Sequence, residues 1–419
     1  MSLSSELRGR NLVHQHSSGK LEDITDGPKR TIYWGVDPSA DSMHVGQLQG
    51  ILVLRRFLED GHKLIIIVGG GTGMIGDPGG RSTERNLLDD ETVRHNAEAI
   101  NKQFSKLFGG ISFKMVNNAQ WLRSLNLMEF LRDVGKHFTV NEMVKRDSVR
   151  PRLESPDASI SFTEFSYMLL QAYDFWHLFT NKNVEVQVGG SDQWGNIVSG
   201  VDFIRRKTGK TAYAFTWPLL INKSTGKKFG KSEGGAVWLD DKKTSPYQFY
   251  QFFLNNSDDV ADIEDQLKKL TMLPFEEVDT IMVAHKQSPE KREAQKRLAR
   301  EVTTLVHGEA HTTAAEAVSN ILFGNTGLAN VDEITRDMLV VAAPNTTVPV
   351  GESVIDVLVR SGLAQSKREA RQFLQEGAVM LNGVKISDLE VKLPKDAFSA
   401  HGLALLKRGK REVRVLVRG

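Results

Sequence analysis

The chain has 419 residues, a formal net charge of +2, 40% hydrophobic and 25% charged residues, and no cysteine. This length supports two or three domains, each with its own core. The lack of cysteine excludes disulfides, thiol nucleophiles and thiolate metal sites. No apolar run approaches the roughly 18 residues of a membrane span, and the N-terminus lacks the apolar stretch of a secretory signal. We therefore expect a cytoplasmic protein that does not contact membranes.

Positive charge is concentrated at the C-terminal end. Residues 351–419 contain 13 Lys and Arg against 8 Asp and Glu, a net charge of +5, whereas the remaining residues contain 41 against 44. Because a basic segment attracts polyanions, we expect nucleic-acid contact at this end. The charge pattern alone leaves a solvated charged surface as the alternative.

Two strand–helix units predict a doubly wound sheet. In the first, "RTIYWGV" is followed by the apolar-periodic helix "GQLQGILVLRRFLEDGH" and by "KLIIIV", a run typical of a strand buried on both faces. In the second, the alternating strand "NVEVQVGG" precedes the capped helix "SDQWGNIVSGVDFIRR". Residues 90–180 between them have mostly helical patterns. We therefore predict an α/β domain over residues 1–245, with a Rossmann-like doubly wound parallel sheet and a helical insertion at about 90–180.

The rest of the chain divides into three predicted parts. Residues 246–323 have helical patterns only and predict an all-α domain, whereas residues 324–350 lack periodicity and predict a linker. Residues 351–419 predict a small α+β module with two amphipathic helices and a hairpin around Asn382-Gly383. Four basic residues cluster on the predicted helix pair: Arg360, Lys367, Arg368 and Arg371.

Two nucleotide-binding motifs fail on their context. "VGGGTGMIG" follows a strand, as a dinucleotide fingerprint does, but the next residues, "DPGG", break the helix that the fingerprint requires. The acidic group beyond it, in "NLLDDETVRHNAEA", looks like a helix start instead of a ribose-binding strand end. The two GK[ST] sequences have Ile204 and Thr225 where a phosphate-binding loop needs glycine. The failed dinucleotide fingerprint disfavours a dehydrogenase, and the missing glycines exclude a Walker A phosphate-binding loop.

Two separated segments remain able to bind phosphate. "HVGQ", residues 44–47, lies at a predicted helix N-terminus, where backbone N–H groups and the helix dipole favour an anion. "KFGKS", residues 228–232, places two lysines three positions apart on a glycine-rich loop, predicted to be mobile over residues 223–235. Each signal alone is weak, since single histidines are mostly structural and such loops are mostly solvated.

Together, in this order and on this fold, the two segments resemble the HIGH and KMSKS signatures of class I aminoacyl-tRNA synthetases. "YWGVDPSADSMHVGQL", "SYMLLQAYDF" and "VGGSDQWGNI" resemble the tyrosyl-tRNA synthetase family of bacterial type. The resemblance covers nearly the whole chain, including a C-terminal module similar to the S-four-type RNA-binding fold. It implies activation of tyrosine with ATP, giving tyrosyl-adenylate and pyrophosphate, and transfer of tyrosyl to the 3′-terminal adenosine of a tRNA in protein synthesis. It also implies Mg²⁺ with ATP, no tightly bound cofactor, a homodimer and no DNA partner.

The resemblance also implies site residues in four groups, with no metal ligand among them. The residues matched to catalysis at the phosphates are His44, Ser39, Gln47, Lys228, Lys231 and Ser232. The residues matched to tyrosine binding are Tyr33 and Asp174 at the phenol hydroxyl, Asp77, Tyr167 and Gln171 at the amine, and Gln193 at the carboxylate. The residues matched to ATP binding are Gly35, Asp37, Gly46, Gly190, Asp192, Arg81 and Arg85. The four clustered basic residues of the C-terminal module are matched to RNA.

Three positions depart from the commonest family pattern. Gln47 replaces the second histidine of the signature, Trp34 stands where a small residue is common, and Gly50 where threonine is common. These changes concern the ribose contacts. Two alternatives stay open. One is a tryptophanyl relative, disfavoured by the Tyr33 and Asp174 pair and by "GGSDQWGN". The other is a non-catalytic RNA-binding paralogue that uses the basic helix at 289–307 and the C-terminal module.

Overall fold

The structure is a computed structural model of the whole chain. It describes every residue except 78–88, 147–148, 156–158, 222–228, 233–234, 325, 329–330 and 410–411, and the side chains of Pro151, Lys231 and Ser232. By contacts between residues, the described chain forms two compact units. The first comprises Met1–Lys243 with Ser257–Ala294, and the second Thr244–Asn256 with Gln295–Gly419. None of the described helices combines the length and apolar character of a membrane span.

A six-stranded sheet is the centre of the first unit. Its strands are β1 Gln15–His16, β2 Thr31–Val36, β3 Lys63–Val68, β4 Lys114–Asn117, β5 Val184–Gly190 and β6 Tyr213–Trp217. The order is β1-β6-β5-β2-β3-β4, and all neighbours are parallel except β1 and β6. The chain runs outward from β2 to β4 and then returns to β5 on the other side of β2. Such a reversal opens a crevice at the carboxyl ends of the strands, and the predicted doubly wound fold is confirmed.

Helices precede and connect the strands of this sheet. In chain order they are α1 Leu3–Gly9, α2 Glu22–Thr25, α3 Val45–Glu59, α4 Asp90–Leu107, α5 Ala119–Leu122, α6 Leu127–Asp133, α7 Val140–Met143, α8 Arg150–Glu154, α9 Phe162–Lys182 and α10 Trp194–Thr208. Helices α3, α9 and α10 pack directly against the strands. Helix α3 is buried on most sides, and its Leu48, Ile51, Leu52 and Phe57 are inaccessible to solvent. Its burial explains the long apolar run that follows the signature in the sequence.

The predicted helical insertion needs one correction. Strand β4 lies within it and pairs in parallel with β3, so the sheet gains an edge strand that the sequence pattern did not show. The segment has only four residues, and its burial is intermediate or lower throughout. A short edge strand buries too little apolar surface to produce a readable alternation. The next residue, Asn118, becomes part of the site described below.

Beyond β6 the chain forms two short strands and then helices. These elements are β7 Lys231–Ser232, β8 Gly235–Ala236, α11 Pro246–Leu254, α12 Val260–Leu270, α13 Phe275–Gln287, α14 Glu293–His307 and α15 Glu309–Phe323. Residues 246–323 therefore contain helices and turns only, as their pattern predicts. Helices α12 and α13 belong to the first compact unit and α11 and α15 to the second. The predicted domain limits at residues 245 and 323 remain predictions.

The second unit ends in a five-stranded sheet with flanking helices. Its elements are α16 Glu333–Ala342, β9 Asn345–Val348, α17 Val354–Arg360, α18 Lys367–Gln375, β10 Val379–Leu381, β11 Val384–Ile386, β12 Leu403–Arg408 and β13 Glu412–Arg418. The strand order is β11-β10-β12-β13-β9. Asn382 and Gly383 both have positive φ, at 50° and 84°, as the predicted two-residue hairpin turn requires.

The predicted linker at 324–350 is partly wrong, because it contains α16 and β9. Strand β9 pairs in parallel with β13, with Asn345 opposite Val415. Parallel pairing with a strand about seventy residues later leaves no local periodicity in four residues, so the sequence pattern could not show it.

Candidate active site

A cavity of about 340 Å³ opens at the carboxyl ends of β2 and β5, within the first unit. It has two ends, which we call the buried end, at Tyr33 and Asp174, and the helix end, at His44 and Gln47. Twelve residues predicted from the sequence line it: Tyr33, Gly35, Asp37, Ser39, His44, Gln47, Asp77, Tyr167, Gln171, Asp174, Asp192 and Gln193. They come from β2, the turn after it, the start of α3, the segment after β3, α9 and the turn after β5. The fold therefore brings together residues that are up to 160 positions apart in the chain.

At the buried end, two side chains that the sequence analysis missed hold Asp174. Asn118 Nδ2 donates to Asp174 Oδ2 at 2.8 Å, and Trp121 Nε1 donates to Asp174 Oδ1 at 2.6 Å. Asn118 also accepts from the backbone N–H of Gly71 at 2.7 Å and donates to Thr72 Oγ1 at 2.9 Å. The carboxylate is therefore fixed from both sides. The signal that could have indicated Asn118 is its place directly after a parallel strand, but only if β4 is recognised.

Burial controls the charges at this end. It raises the pKa of Asp174 to about 7, although the hydrogen bonds from Asn118 and Trp121 lower it, and the nearby charge of Asp37 raises it further. Burial, with the charge of Asp174, raises the pKa of Tyr33 well above its usual value. The Tyr33 hydroxyl is buried and has no hydrogen-bond partner among the described residues. A buried hydroxyl normally has a partner, so this end can accept a polar group from a ligand.

Between the two ends, polar side chains form a connected wall. Gln193 Nε2 donates to Asp77 Oδ2 at 2.7 Å, and Gln171 Nε2 lies 3.4 Å from Gln193 Oε1. Tyr167 Oη lies 3.3 Å from Asp37 Oδ2. Asp37, which the resemblance predicts to bind ATP, thus contacts Tyr167, which it predicts to bind the amine of tyrosine.

The electrostatics of the cavity favour a cation near this wall. Four carboxylates line it, and no lysine or arginine stands among the described lining residues. The carboxylates are Asp37, Asp77, Asp174 and Asp192. A ligand ammonium group placed beside them gains attraction that is stronger than in water, because the surroundings are partly desolvated.

At the helix end, His44 is the N-cap of α3. Its Nδ1 accepts from the backbone N–H of Gly46 at 3.1 Å, while Gln47 Oε1 accepts from the backbone N–H of His44 at 3.0 Å. This reciprocal cap fixes the imidazole, and in the neutral ring it leaves the proton on Nε2. His44 can therefore present an N–H donor beside the positive end of the helix dipole.

The described backbone within and just after the glycine-rich loop, residues 223–235, lies against the same helix terminus. Val45 N–H donates to the Val237 carbonyl at 2.9 Å, and His44 forms a β-bridge with Trp238. Gly230 has a φ of +95°, and a Cβ there would lie 2.7 Å from the backbone nitrogen of Gly46. Glycine is therefore required at 230 for this close approach. The contact explains the glycine between the two lysines in the sequence.

Some predicted residues lie outside the described part of the chain. Arg81, Arg85 and Lys228 are not described, and Lys231 and Ser232 are described only through the backbone of β7. Gly46 and Gly190 do not line the cavity but adjoin it: Gly46 follows the N-cap of α3, and Gly190 ends β5. Their roles stay predictions.

In the second unit, the four basic residues predicted to bind RNA are all exposed, on α17 and α18. Two of them are neutralised in part, since Arg360 pairs with Glu352 and Lys367 with Asp356, both at 2.6 Å. Among the described residues, Arg368 and Arg371 have no acidic partner. These two arginines therefore leave positive charge available on α18.

The doubly wound sheet, with a capped histidine at the N-terminus of α3 and a cavity at the strand ends, defines a class I aminoacyl-tRNA synthetase fold. A family model described as "tRNA synthetases class I (W and Y)" matches residues 25–324. A second model, described as "Tyrosine--tRNA ligase SYY-like C-terminal domain", matches residues 335–416. The chain belongs to the tyrosine–tRNA ligase family, and the resemblance found in the sequence is confirmed.

Relatives and solved structures agree with this membership. The chain is 46% identical to a tyrosine–tRNA ligase of Roseiflexus castenholzii and 44% identical to one of Pediococcus pentosaceus, with 98% of each chain covered in both cases. A C-terminally truncated mitochondrial tyrosyl-tRNA synthetase of Aspergillus nidulans superposes with a TM-score of 0.67 at 33% identity, covering 77% of this chain and 94% of that one.

Proposed function

We propose that the chain activates tyrosine with ATP and transfers the tyrosyl group to the 3′-terminal adenosine of a tRNA. The observation that carries this proposal is a single cavity that joins the buried pair Tyr33 and Asp174 to His44 at a helix N-terminus. One end suits a phenol, the carboxylate-lined wall suits an ammonium group, and the helix end suits phosphate.

The arrangement supports one orientation of tyrosine. Its phenol hydroxyl donates to Asp174 and contacts the unpartnered hydroxyl of Tyr33, and its ammonium group lies beside Asp77 and Tyr167. Its carboxylate then points along the cavity toward His44. Phenylalanine leaves Tyr33 and Asp174 without their partner, and rejection on this ground is a known property of tyrosyl-tRNA synthetases.

The first step needs positioning more than proton transfer. An ionised carboxylate oxygen of tyrosine attacks the α-phosphorus of ATP, and the bond to pyrophosphate breaks. No general base is required, so the protein contributes orientation and stabilisation of charge at the phosphates. His44 supplies an N–H donor, and α3 supplies its positive end. Lys228, Lys231 and Ser232 are the proposed contacts to pyrophosphate.

Magnesium fits as part of the ATP substrate. Among the described residues, no group of three or more His, Asp and Glu side chains is arranged to hold a metal ion. Mg²⁺ keeps several waters and binds readily through nucleotide phosphates, so it would arrive with ATP and neutralise the pyrophosphate that leaves.

We also propose that the chain works as a homodimer. On the first unit, Phe130 of α6 and Phe165 of α9 belong to one apolar cluster, while Leu127, Met128 and Phe162 beside them are 69%, 73% and 78% exposed. A second copy would cover this apolar surface. Sedimentation of the wild type should give a dimer and Phe162→Asp a monomer, and a monomeric wild type at micromolar concentration would contradict it.

Tyrosine-dependent exchange of pyrophosphate into ATP tests the function. The proposal expects exchange with tyrosine, little with phenylalanine and none with tryptophan. Exchange that requires tryptophan would indicate the tryptophanyl relative. A folded protein that binds tRNA but exchanges with no amino acid would indicate a non-catalytic RNA-binding paralogue. The cytoplasmic location expected from the sequence stays a prediction.

A further inference from the structure

Helix α4 carries two amide side chains on the side that faces the protein interior. Val93, Ile100 and Phe104 are buried on this helix, and Asn96 is only 5% exposed. Gln103, seven residues after Asn96, is partly buried. Positions seven apart lie on one side of a helix, about 10 Å apart along its axis. Because burial of an amide is unfavourable unless it is hydrogen-bonded, both side chains should have specific partners.

The partners of both amides lie in the turn between β2 and α3. Asn96 Nδ2 donates to the carbonyl oxygen of Pro38 at 2.8 Å. Gln103 Oε1 accepts from the backbone N–H of Met43 at 2.8 Å, and Gln103 Nε2 donates to Ser42 Oγ at 2.9 Å. Helix α4 is thus bonded to both ends of the turn, through three hydrogen bonds of ordinary length.

This turn places two of the side chains proposed to contact phosphate. Residues 37–43 form neither helix nor strand, so they lack the regular hydrogen-bond pattern that fixes the backbone of such elements. Ser39 lies within the turn and His44 directly after it, and both line the cavity. Pro38 precedes Ser39, and Met43 precedes His44. The hydrogen bonds from α4 therefore hold the backbone next to each of these side chains.

Two further contacts hold the turn but do not replace those from α4. Lys243 Nζ lies 2.7 Å from Asp41 Oδ1, with the two side chains 35% and 38% exposed. An ion pair as exposed as this contributes little. The backbone N–H of Leu239 donates to the Met43 carbonyl at 2.9 Å, whereas Gln103 holds the N–H of the same residue. Loss of Gln103 would therefore free the peptide that leads into the N-cap of α3.

We propose that Asn96 and Gln103 are positioning residues for the activation step, because they fix the turn that places Ser39 and His44 at the phosphates of ATP. Neither is among the described residues that line the cavity, so they act through the backbone of the turn. The inference rests on the proposed function for the identity of the ligand. Since this step depends on orientation, a small displacement of the turn should lower the rate while tyrosine binding at the buried end is unchanged.

The test compares two replacements of Gln103 in tyrosine-dependent pyrophosphate exchange. Gln103→Met keeps the length of the side chain and removes both hydrogen bonds, so kcat should fall roughly 10- to 100-fold. Gln103→Glu keeps an oxygen for the Met43 N–H, and the Ser42 hydroxyl can donate to the other oxygen, so kcat should stay within about 3-fold of the wild type. The Kd for tyrosine should be unchanged in both variants. Asn101→Ala, exposed on the same helix, is the control and should change neither constant.

Asn96 provides an independent variant. Asn96→Leu has a similar size and suits the buried face of α4, but it removes the bond to the Pro38 carbonyl, so kcat should fall about 10-fold. Hydrogen–deuterium exchange gives a readout that does not depend on activity. The Met43 amide should be protected in the wild type and in Gln103→Glu, and it should exchange about 10-fold faster in Gln103→Met.

A wild-type kcat in Gln103→Met would overturn the inference, as would a Kd for tyrosine that rises as much as kcat falls. An unprotected Met43 amide in the wild type would also overturn it. If Gln103→Met did not fold, Asn96→Leu would decide, and an unchanged kcat in that variant would contradict the inference. Absence of pyrophosphate exchange in a folded wild type would instead contradict the proposed function.

Discussion

Trp121 donates its indole N–H to Asp174 at 2.6 Å, and Asn118 donates to the other oxygen of the same carboxylate at 2.8 Å. Asp174, which we propose accepts a hydrogen bond from the phenol of tyrosine, is therefore oriented by two residues of the insertion. Both donors are buried, at 8% and 0% exposure, so the geometry is protected from water. Hydrogen bonds to a buried charged group contribute more than those between neutral groups.

Tyrosine affinity should depend on pH near neutrality. Burial raises the pKa of Asp174 to about 7, and only the ionised carboxylate can accept from the phenol while it accepts from Asn118 and Trp121. The Kd for tyrosine, measured by calorimetry, should therefore rise as pH falls, by up to about 10-fold per pH unit below the midpoint. Asp174→Asn should bind weakly without this dependence. A flat profile between pH 5.5 and 8.5 would contradict the assignment.

The same group should affect stability in the opposite direction to an ordinary carboxylate. Its pKa is raised from 3.8 to about 7 on folding, so the folded protein holds a proton that the unfolded chain releases between these values. Ionised Asp174 therefore costs stability above pH 7, and this cost disappears below about pH 4. Replacing it by Asn should raise the thermal midpoint more at pH 8 than at pH 4.5. Equal shifts at both values would disprove the linkage.

Asn118→Ala should weaken tyrosine binding, although Asn118 acts only through Asp174 and does not contact the ligand in the proposed orientation. Losing the donor frees Asp174 Oδ2 and removes a contact that lowers its pKa. A hydrogen bond to a charged group contributes roughly 1.5 to 3 kcal/mol, so we expect about a 10- to 100-fold higher Kd for tyrosine. The midpoint of the pH profile should move upward, which a purely structural defect would not cause. The exposed Asn101→Ala is the control.

Two substitutions at His44 separate capping from catalysis. Alanine removes both the N-cap and the Nε2 donor. It should lower the free energy of unfolding by about 1 kcal/mol and should also lower the activity. Asparagine is a good N-cap but places no donor at the Nε2 position, so it should keep the stability and lose the rate. Both variants should lower the rate of pyrophosphate exchange by roughly 100-fold, the effect of one oriented donor. If the asparagine variant exchanged pyrophosphate at the wild-type rate, His44 would have no role in the reaction.

The C-terminal arginines should act on tRNA alone. Arg368 and Arg371 are exposed on α18 without an acidic partner among the described residues, whereas Arg360 pairs with Glu352. Replacing both unpaired arginines by alanine should raise the KM for tRNA and reduce the salt slope of tRNA binding by about two. Pyrophosphate exchange should be unchanged. Arg360→Ala, whose charge is already shared, should have a smaller effect, and equal effects would contradict this view of the surface.

A deletion that tests the same module should begin before β9. The sequence pattern placed the module at 351–419, but β9 Asn345–Val348 is a strand of its sheet and pairs with β13. Cutting at 350 would leave β9 without its neighbour and expose an unpaired edge. Removal from Ala343 onward should abolish efficient tRNA charging while tyrosine-dependent exchange persists. Loss of both activities in a folded protein would contradict the separation of roles.

The amino-acid sequence by itself determined the local features of this protein. The strand β2, the capped start of α3, the buried strand β3 and the hairpin at Asn382 follow from residues that are neighbours in the chain. Each involves a cap, a turn or an apolar period, which are properties of short segments. Family motifs then indicated which side chains of the signature and of α9 share a ligand.

Only the tertiary structure decided what depends on distant pairing. Strands β4 and β9 have four residues each and are stabilised by strands that are distant in the sequence. Their own hydrophobic patterns therefore do not predict a strand. Asn118 and Trp121 reach Asp174 because β4 joins the sheet beside β3. Gly50 is explained by Trp217, 167 positions later, since a Cβ at position 50 would lie 2.5 Å from Cζ2 of that ring. Steric fit and the pKa of a buried carboxylate depend on the side chains that surround a group in space. Those neighbours cannot be identified from the order of residues in the chain.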